Sequence, residues 1–463
     1  MKIQKTLLFS IVLILLAISC TDQDATIVLK NGKIYTMEQN QPWASAVVIK
    51  SNKIIAVLDK DKQAEKYIGS ATRVIDLQGK FVVPGFIDSH THMNGFGSQQ
   101  NDINLMTVAD NAGLKKELRR VVNILDDDEW ITGGQWEGNK IWETDWRERK
   151  ELKNNRWEPD RWIIDDISKN NPCLLSSYDR ELYLANTAAL RAAGLENEKL
   201  EGMKVDKVGR PTGLIYKNSP ALEKIRAVKK PKSEERILNE LRAAMRVMAE
   251  SGITEVHDIS SEKVMARFAY LQERGELITR VWGRPGIQNG QSFMERGIKM
   301  NTHPVTGKRD YYLRWGAYKG YYDGFLGSHT ALLFEPYADK PETSGGYRND
   351  TSDDQQQKIK SPDKFYNFMK IAFADGFAVH AHTIGSRGVA EFLDDCERLV
   401  NETGVDLNRS RVIHAEIVRP ADFDRFVKMG IIAETNPSQM ADDMRWIKDR
   451  LGPEREKRVF PFK

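Results

Sequence analysis

The sequence predicts an α/β protein: a parallel sheet of βα units preceded by a small all-β module. Three observations predict it. Residues 27–77 carry apolar side chains at a period of two, in IVLKNGKIYTM, ASAVVIKSNKIIAVL and TRVIDLQGK, with Asn31 and Gly32 marking a tight turn. From residue 81 onward single strand-like runs alternate with helical stretches, which is the signature of parallel pairing. Six of the eight histidines fall at or just past the ends of those runs.

Composition bounds the chemistry. With 463 residues, 40% hydrophobic and 29% charged, the chain can bury one large domain plus a satellite, and it is neither disordered, collagenous nor a disulfide-stapled mini-protein. The 69 Lys and Arg nearly balance the 66 Asp and Glu, leaving +3 and no long basic tract, so no nucleic-acid partner is expected. Cys20, Cys173 and Cys396 are far apart and form no CxxC pattern. Any metal must therefore be held by histidines and carboxylates.

At residues 1–20, Lys2 and Lys5 precede an apolar run at 7–18. That run is short for a membrane span of roughly 20 residues but suits a signal-peptide core. Ala17-Ile18-Ser19-Cys20 resembles a bacterial lipobox, in which the cysteine is lipidated and becomes the new N-terminus. The plainer alternative is an ordinary cleaved signal with an incidental cysteine. The expectation is an exported cell-envelope protein, periplasmic or at the outer-membrane face, tethered only through lipid on Cys20.

Residues 21–80 form the β module, and residues 81–463 the parallel-sheet domain. Its strands are expected at 81–88, 252–258, 278–283, 313–320, 376–382, 411–416 and 430–435. A helix is expected at 233–251, where apolar residues fall at helical spacing until Gly252 closes it. Between the first two strands lies an insertion, about 93–232, rich in Trp and charge, which would rise over one face as a lid or pocket wall.

The histidines carry most of the chemical information. His90 and His92 stand two apart after an apolar strand with Pro84-Gly85, a spacing that puts both imidazoles on one face where neutral rings can share a cation. His380 and His382 repeat that spacing: one reads as a ligand, the other as its support. His414 adds a third strand. Taken alone, His257, His303 and His329 read as ordinary hydrogen-bonded histidines.

These residues resemble a known family. Val83-Pro84-Gly85-Phe86-Ile87-Asp88-Ser89-His90-Thr91-His92 looks like the first-strand motif of the metal-dependent amidohydrolase superfamily. Later segments are similar to the amidohydrolase family 3 branch: 252–258, Tyr318-Lys319-Gly320 with Asp323-Gly324 and Thr330-Ala331, 379–385, 411–415, and 437–452. The resemblance implies a (β/α)8 TIM-type barrel beside a small β-sandwich, with one or two divalent ions, usually zinc. It implies that His90 and His92 bind the first ion, that His382 and His414 bind the second or hold substrate, and that Lys319, carboxylated, bridges the two. Lys319, His382 and His414 are thereby also catalytic candidates, while His257, His380 and Asp323 are candidates for touching substrate. The implied reaction is hydrolysis of a non-peptide C–N bond in a small amide or cyclic amide, by a metal-generated hydroxide attacking the carbonyl. The resemblance leaves a homo-oligomer open.

The family's eighth-strand carboxylate, which moves the proton, has no counterpart before the sequence ends at Lys463. The expectation is therefore a truncated chain with seven of eight strands and an incomplete sandwich. The alternative function is a catalytically impaired metal- or ligand-binding lipoprotein. Other departures bear on specificity: Asp179-Arg180-Glu181, Lys217, His329 and Ser386 replace the residues usual in the branch. A periplasmic solute-binding protein, the third reading, would show two hinged lobes and no clustered strand-end histidines.

Overall fold

The structure, a computed structural model, describes residues 24–137, 157–178, 180–348, 362–407 and 409–461. The apolar run at 7–18, Cys20 and Asp179 lie outside the described residues. The chain divides into two compact units, Met1–Phe86 and Ile87–Lys463.

The first unit holds two small sheets. One runs in the order β5 (Lys53–Leu58), β4 (Ala46–Lys50), β1 (Ile27–Lys30), β6 (Arg73–Asp76); the other in the order β3 (Trp43–Ala44), β2 (Lys33–Tyr35), β7 (Phe81–Val82). Asn31 does take the left-handed conformation of a turn, with φ 57°. The turn carries the chain from one sheet to the other rather than closing a hairpin. Val28, Ala46, Val48 and Ala64 form the core of the first sheet.

The second unit opens on β8 (Phe86–Thr91). The strand expected at 81–88 is thus two strands: Phe81–Val82 pairs with β2, and Pro84, which has no N–H for a ladder, separates it from β8. The insertion forms its own five-stranded sheet, in the order β12 (Met203–Val205), β13 (Pro211–Tyr216), β11 (Leu182–Ala185), β10 (Cys173–Ser177), β9 (Ile131–Trp136). It has its own apolar clusters, one around Leu114, Leu118, Trp136 and Leu175, the other around Tyr183, Leu190 and Ile225.

The parallel strands follow. β14 (Ile253–Ile259), β15 (Arg280–Arg284) and β16 (Leu313–Trp315) join β8 in the order β16-β15-β14-β8. β17 (Tyr318–Tyr321), β18 (Val379–Thr383), β19 (Arg411–His414) and β20 (Ile432–Glu434) form a second four-stranded sheet in that order. The single strand expected at 313–320 breaks at Gly316 and Ala317, and an isolated parallel bridge from Gly286 to Lys319 runs between the two sheets. A Cβ on Gly316 would meet the Trp282 ring at 2.4 Å, so the indole occupies the space a continuous strand's side chain would need.

Helices cover the strands because their caps and apolar faces are written locally. Helix Glu234–Glu250 starts where the Ser233 side chain accepts from the Arg236 N–H, and it buries Leu238, Leu241, Ala244, Met245 and Met248. Helix Ser386–Thr403 ends at Gly404 and helix Pro420–Met429 at Gly430, both left-handed. The largest apolar cluster of the unit collects these faces, with Met245, Phe268, Tyr318, Phe365 and Phe392 at its centre.

Candidate metal centre and its surroundings

β8, β18 and β19 deliver four imidazoles to one place. Ring centroids of His90 and His92 are 5.6 Å apart, those of His90 and His414 5.2 Å, and those of His382 and His414 4.5 Å. Two imidazoles sharing one ion through metal–nitrogen bonds of about 2.0–2.1 Å would have centroids roughly 5 Å apart. Among the described residues, no group of three or more His, Cys, Asp or Glu stands in an arrangement that could by itself hold a metal ion. The fit is therefore judged on ring spacing and on the nitrogens left free.

Those nitrogens are set by hydrogen bonds. His90 Nδ1 donates to Glu434 Oε1 at 3.1 Å, His382 Nε2 to the Gly324 carbonyl at 3.1 Å, and His414 Nδ1 to Gln439 Oε1 at 3.0 Å. Each bond fixes a tautomer whose other nitrogen keeps its lone pair, as a ligating histidine requires. Burial keeps the rings neutral, pushing His90 and His92 down to about 4 and His382 and His414 well below the ordinary imidazole value. A neutral imidazole is the form that takes a cation.

Lys319 on β17 is the fifth member. It is 2% exposed, and its Nζ has no hydrogen-bond partner. Burial, reinforced by the charge of Arg284, holds its pKa well below that of a free lysine. A positive charge on it lowers the pKa of all four histidines. An unpartnered buried amine beside free imidazole lone pairs fits a centre where the amine is converted to an anionic ligand. The residues present thus fit one or two divalent ions.

Around this group lies a polar support that the motifs did not reveal. Glu434, on β20, receives His90 and is gripped by Arg284 through two bonds of 3.0 and 2.8 Å and by Arg411 at 2.6 Å. Burial alone would push its pKa up, but the bonds from His90 and Arg284 outweigh it and hold the carboxylate far below its ordinary range. Arg284 also donates to the Ser89 carbonyl at 2.6 Å, fixing the strand end that carries His90. Asp258 accepts from the Met93 N–H at 2.6 Å and from Thr91, locking the residues on both sides of His92. Gln439, which orients His414, donates in turn to Glu416. His414 and Ala415 have φ of 75° and 46°, left-handed values that non-glycine residues hold only where the surroundings enforce them. The signal for Glu434 was present as a carboxylate ending an apolar strand, but nothing in its spacing links it to His90.

The expected substrate-side residues sit elsewhere. Asp323 is fully buried, and its two oxygens accept from the backbone N–H groups of Leu332, Ile384 and Gly385 at 2.8–3.0 Å. It ties two loops together, and its side chain is engaged by the backbone rather than exposed to the pocket side. His380 donates through Nε2 to the Arg409 carbonyl at 2.9 Å, and His257 lies against Trp282 with centroids 4.6 Å apart. Trp282 also meets His380, at 5.4 Å, so both histidines belong to a layer around that indole. His303 organises a turn by accepting from Val305 and Thr306, and His329 faces Asp339 at 3.0 Å. Lys217 is paired with Glu181 at the surface.

Parallel strands with imidazoles and a buried lysine at one end define a metal-dependent hydrolase of the amidohydrolase type, and the comparisons agree. The amidohydrolase family model, in branch 3, matches residues 73–463. The chain belongs to that family and is an amidohydrolase. It is 28% identical over 447 residues to Protein LONG AFTER FAR-RED 3 of Arabidopsis thaliana, across 93% of this chain and 71% of that protein. It is 22% identical over 419 residues to N-substituted formamide deformylase of Arthrobacter pascens, across 88% of this chain and 72% of the relative. A metal-dependent hydrolase structure from Pyrococcus horikoshii OT3 superposes with a TM-score of 0.68 at 25% identity, covering 94% of this chain and 80% of that one.

Proposed function

We propose that the protein hydrolyses a non-peptide C–N bond in a small amide or cyclic amide, at a site where His90, His92, His382 and His414 hold one or two divalent cations, zinc foremost. One observation carries this reading: imidazoles from three strands stand 4.5–5.6 Å apart with hydrogen bonds that leave ligating nitrogens free. The relative named for formamide deformylation supports the choice of bond. In such a site a divalent cation supplies Lewis acidity, polarising a carbonyl and acidifying water towards a pKa of about 7.

The chain's own residues do the rest. Glu434 fixes the His90 ring, and Gln439 backed by Glu416 fixes His414. Lys319, whose burial holds its pKa well below that of a free lysine, is suited to add carbon dioxide as a carbamate, releasing a proton and presenting anionic oxygens to the centre. On this reading the parallel strands are staves of a (β/α)8-type barrel, and the first unit is part of a β-sandwich. Cys20 is the lipid attachment of an exported protein. Among the described residues, no helix is long and apolar enough to cross a membrane.

A second reading, a metal-binding protein with weakened catalysis, is favoured by one observation. Three buried carboxylates around the centre are engaged, Asp258 and Asp323 by backbone and hydroxyl donors and Glu434 by His90 and two arginines, whereas Glu416 behind His414 keeps an Oε2 without a hydrogen-bond partner. None of the three is free to move a proton. The test is a panel of formamides, N-acyl amines and hydantoin-like rings offered to the full chain before and after zinc loading. Amine release that depends on zinc supports hydrolysis. Full zinc occupancy with no cleavage of any of them overturns it in favour of the second reading.

A further inference from the structure

A cavity of about 320 Å³ has Arg411 and Ile432, the first residues of β19 and β20, in its lining, and the proposed reaction makes no use of it. Its lining includes Arg314 on β16, Arg411 on β19 and Arg409 just ahead of β19. Trp282, Met300 and Ile432 add an apolar surface, and Asn301 and His257 complete the wall. The volume is at the lower end of the usual small-molecule range of roughly 300–1,000 Å³.

Charge decides what such a cavity takes. Arg314 donates to Glu255 at 2.8 Å, and Arg411 donates to Glu434 at 2.6 Å. Glu434 is already met by both Nη atoms of Arg284, and Glu255 also faces His257 at 3.7 Å. Of the three arginines in the lining, Arg314 is matched by Glu255 and Arg411 by Glu434, while Arg409 has no ion-pair partner among the described residues, so the lining carries a positive charge in excess. The Nε of Arg411 is buried and has no hydrogen-bond partner. A donor kept from water and from protein acceptors costs stability unless a ligand meets it.

We propose that this cavity binds a small organic oxyanion, a carboxylate or phosphate ester, with its charge on Arg314, Arg409 and Arg411 and its apolar body against Trp282. Guanidinium forks suit planar and tetrahedral oxyanions alike, and the indole face supplies the preference for an organic over an inorganic anion. None of the four imidazoles of the candidate metal centre lines this cavity, and the ligand is taken without any metal.

Isothermal titration of the full chain with phenyl phosphate, benzoate, inorganic phosphate and uncharged benzyl alcohol, at fixed ionic strength, tests this. The expected result is saturable one-site binding of the aromatic anions, weaker binding of inorganic phosphate and none of benzyl alcohol. Arg409 is exposed, so Arg409→Ala keeps the fold, and it should weaken the aromatic anions roughly tenfold or more. Arg314→Ala should do the same, whereas His90→Ala should bind them unchanged. Absence of saturable binding, or an affinity in both arginine variants unchanged from that of the unaltered chain, overturns the proposal. So does loss of binding in His90→Ala, which would put the anion at the imidazole group.

Discussion

Glu434 shows how much of the centre depends on one side chain. It orients His90 and neutralises Arg284, a guanidinium with no exposed side-chain surface. Glu434→Gln keeps the shape but leaves Arg284 without its counter-charge. Removing one partner of a buried pair typically costs about 3–5 kcal/mol, so the urea midpoint should fall steeply and metal affinity with it; an unchanged midpoint would contradict the assignment. The pH dependence points the same way. In the metal-free chain His90 and His92 titrate at about 4, below the ordinary 6.5 they regain on unfolding, so the unfolded state binds more protons between those values. Their contribution is complete above pH 6.5 and is lost as the pH falls towards 4. Glu434, whose folded pKa is also depressed, adds to the loss at still lower pH. Urea midpoints from pH 8 to pH 4 should decline, and a flat profile would show that the imidazoles are not buried as described. His90 and His92 were legible in the sequence because a two-residue spacing after an apolar strand is a local pattern. Glu434 was not, because its partner lies 344 residues away.

At the scale of elements, local chemistry was readable and pairing was not. The helix expected at 233–251 is present as Glu234–Glu250, with Ser233 and Ser251 as its caps, since capping and apolar spacing are written in neighbouring residues. The break at 316–317 and the separation of Phe81–Val82 from β8 were hidden, because each depends on a partner brought by the fold: the Trp282 ring in one case and β2 in the other. Ser233→Ala should lower stability by roughly 1 kcal/mol through loss of the cap, with no change in metal content. Helix Met93–Asn101, which begins right after His92, carries Gly97 against the neighbouring helix, and a Cβ there would lie 2.3 Å from the Glu240 carbonyl oxygen. Gly97→Val should therefore cost about 1–3 kcal/mol and reduce metal affinity as well, because separating the helices shifts the strand end. Thermal unfolding together with metal titration distinguishes the two variants, and loss of metal in Ser233→Ala alone would contradict the picture.

For the molecule as a whole, chain class and family were readable from motifs in order, because strand-end histidines of this fold recur as short local signatures. The insertion's own five-stranded sheet was not readable, since its strands pair across long connections and its composition suggested only a cover. The account rests on imidazoles from β8, β18 and β19 acting as one ligand set. Elemental analysis of the purified protein and of His90→Ala measures this most directly. The account predicts one or two equivalents of a divalent transition metal, zinc foremost, in the unaltered chain and loss of most of it in the variant. A metal content that is the same in both would contradict it.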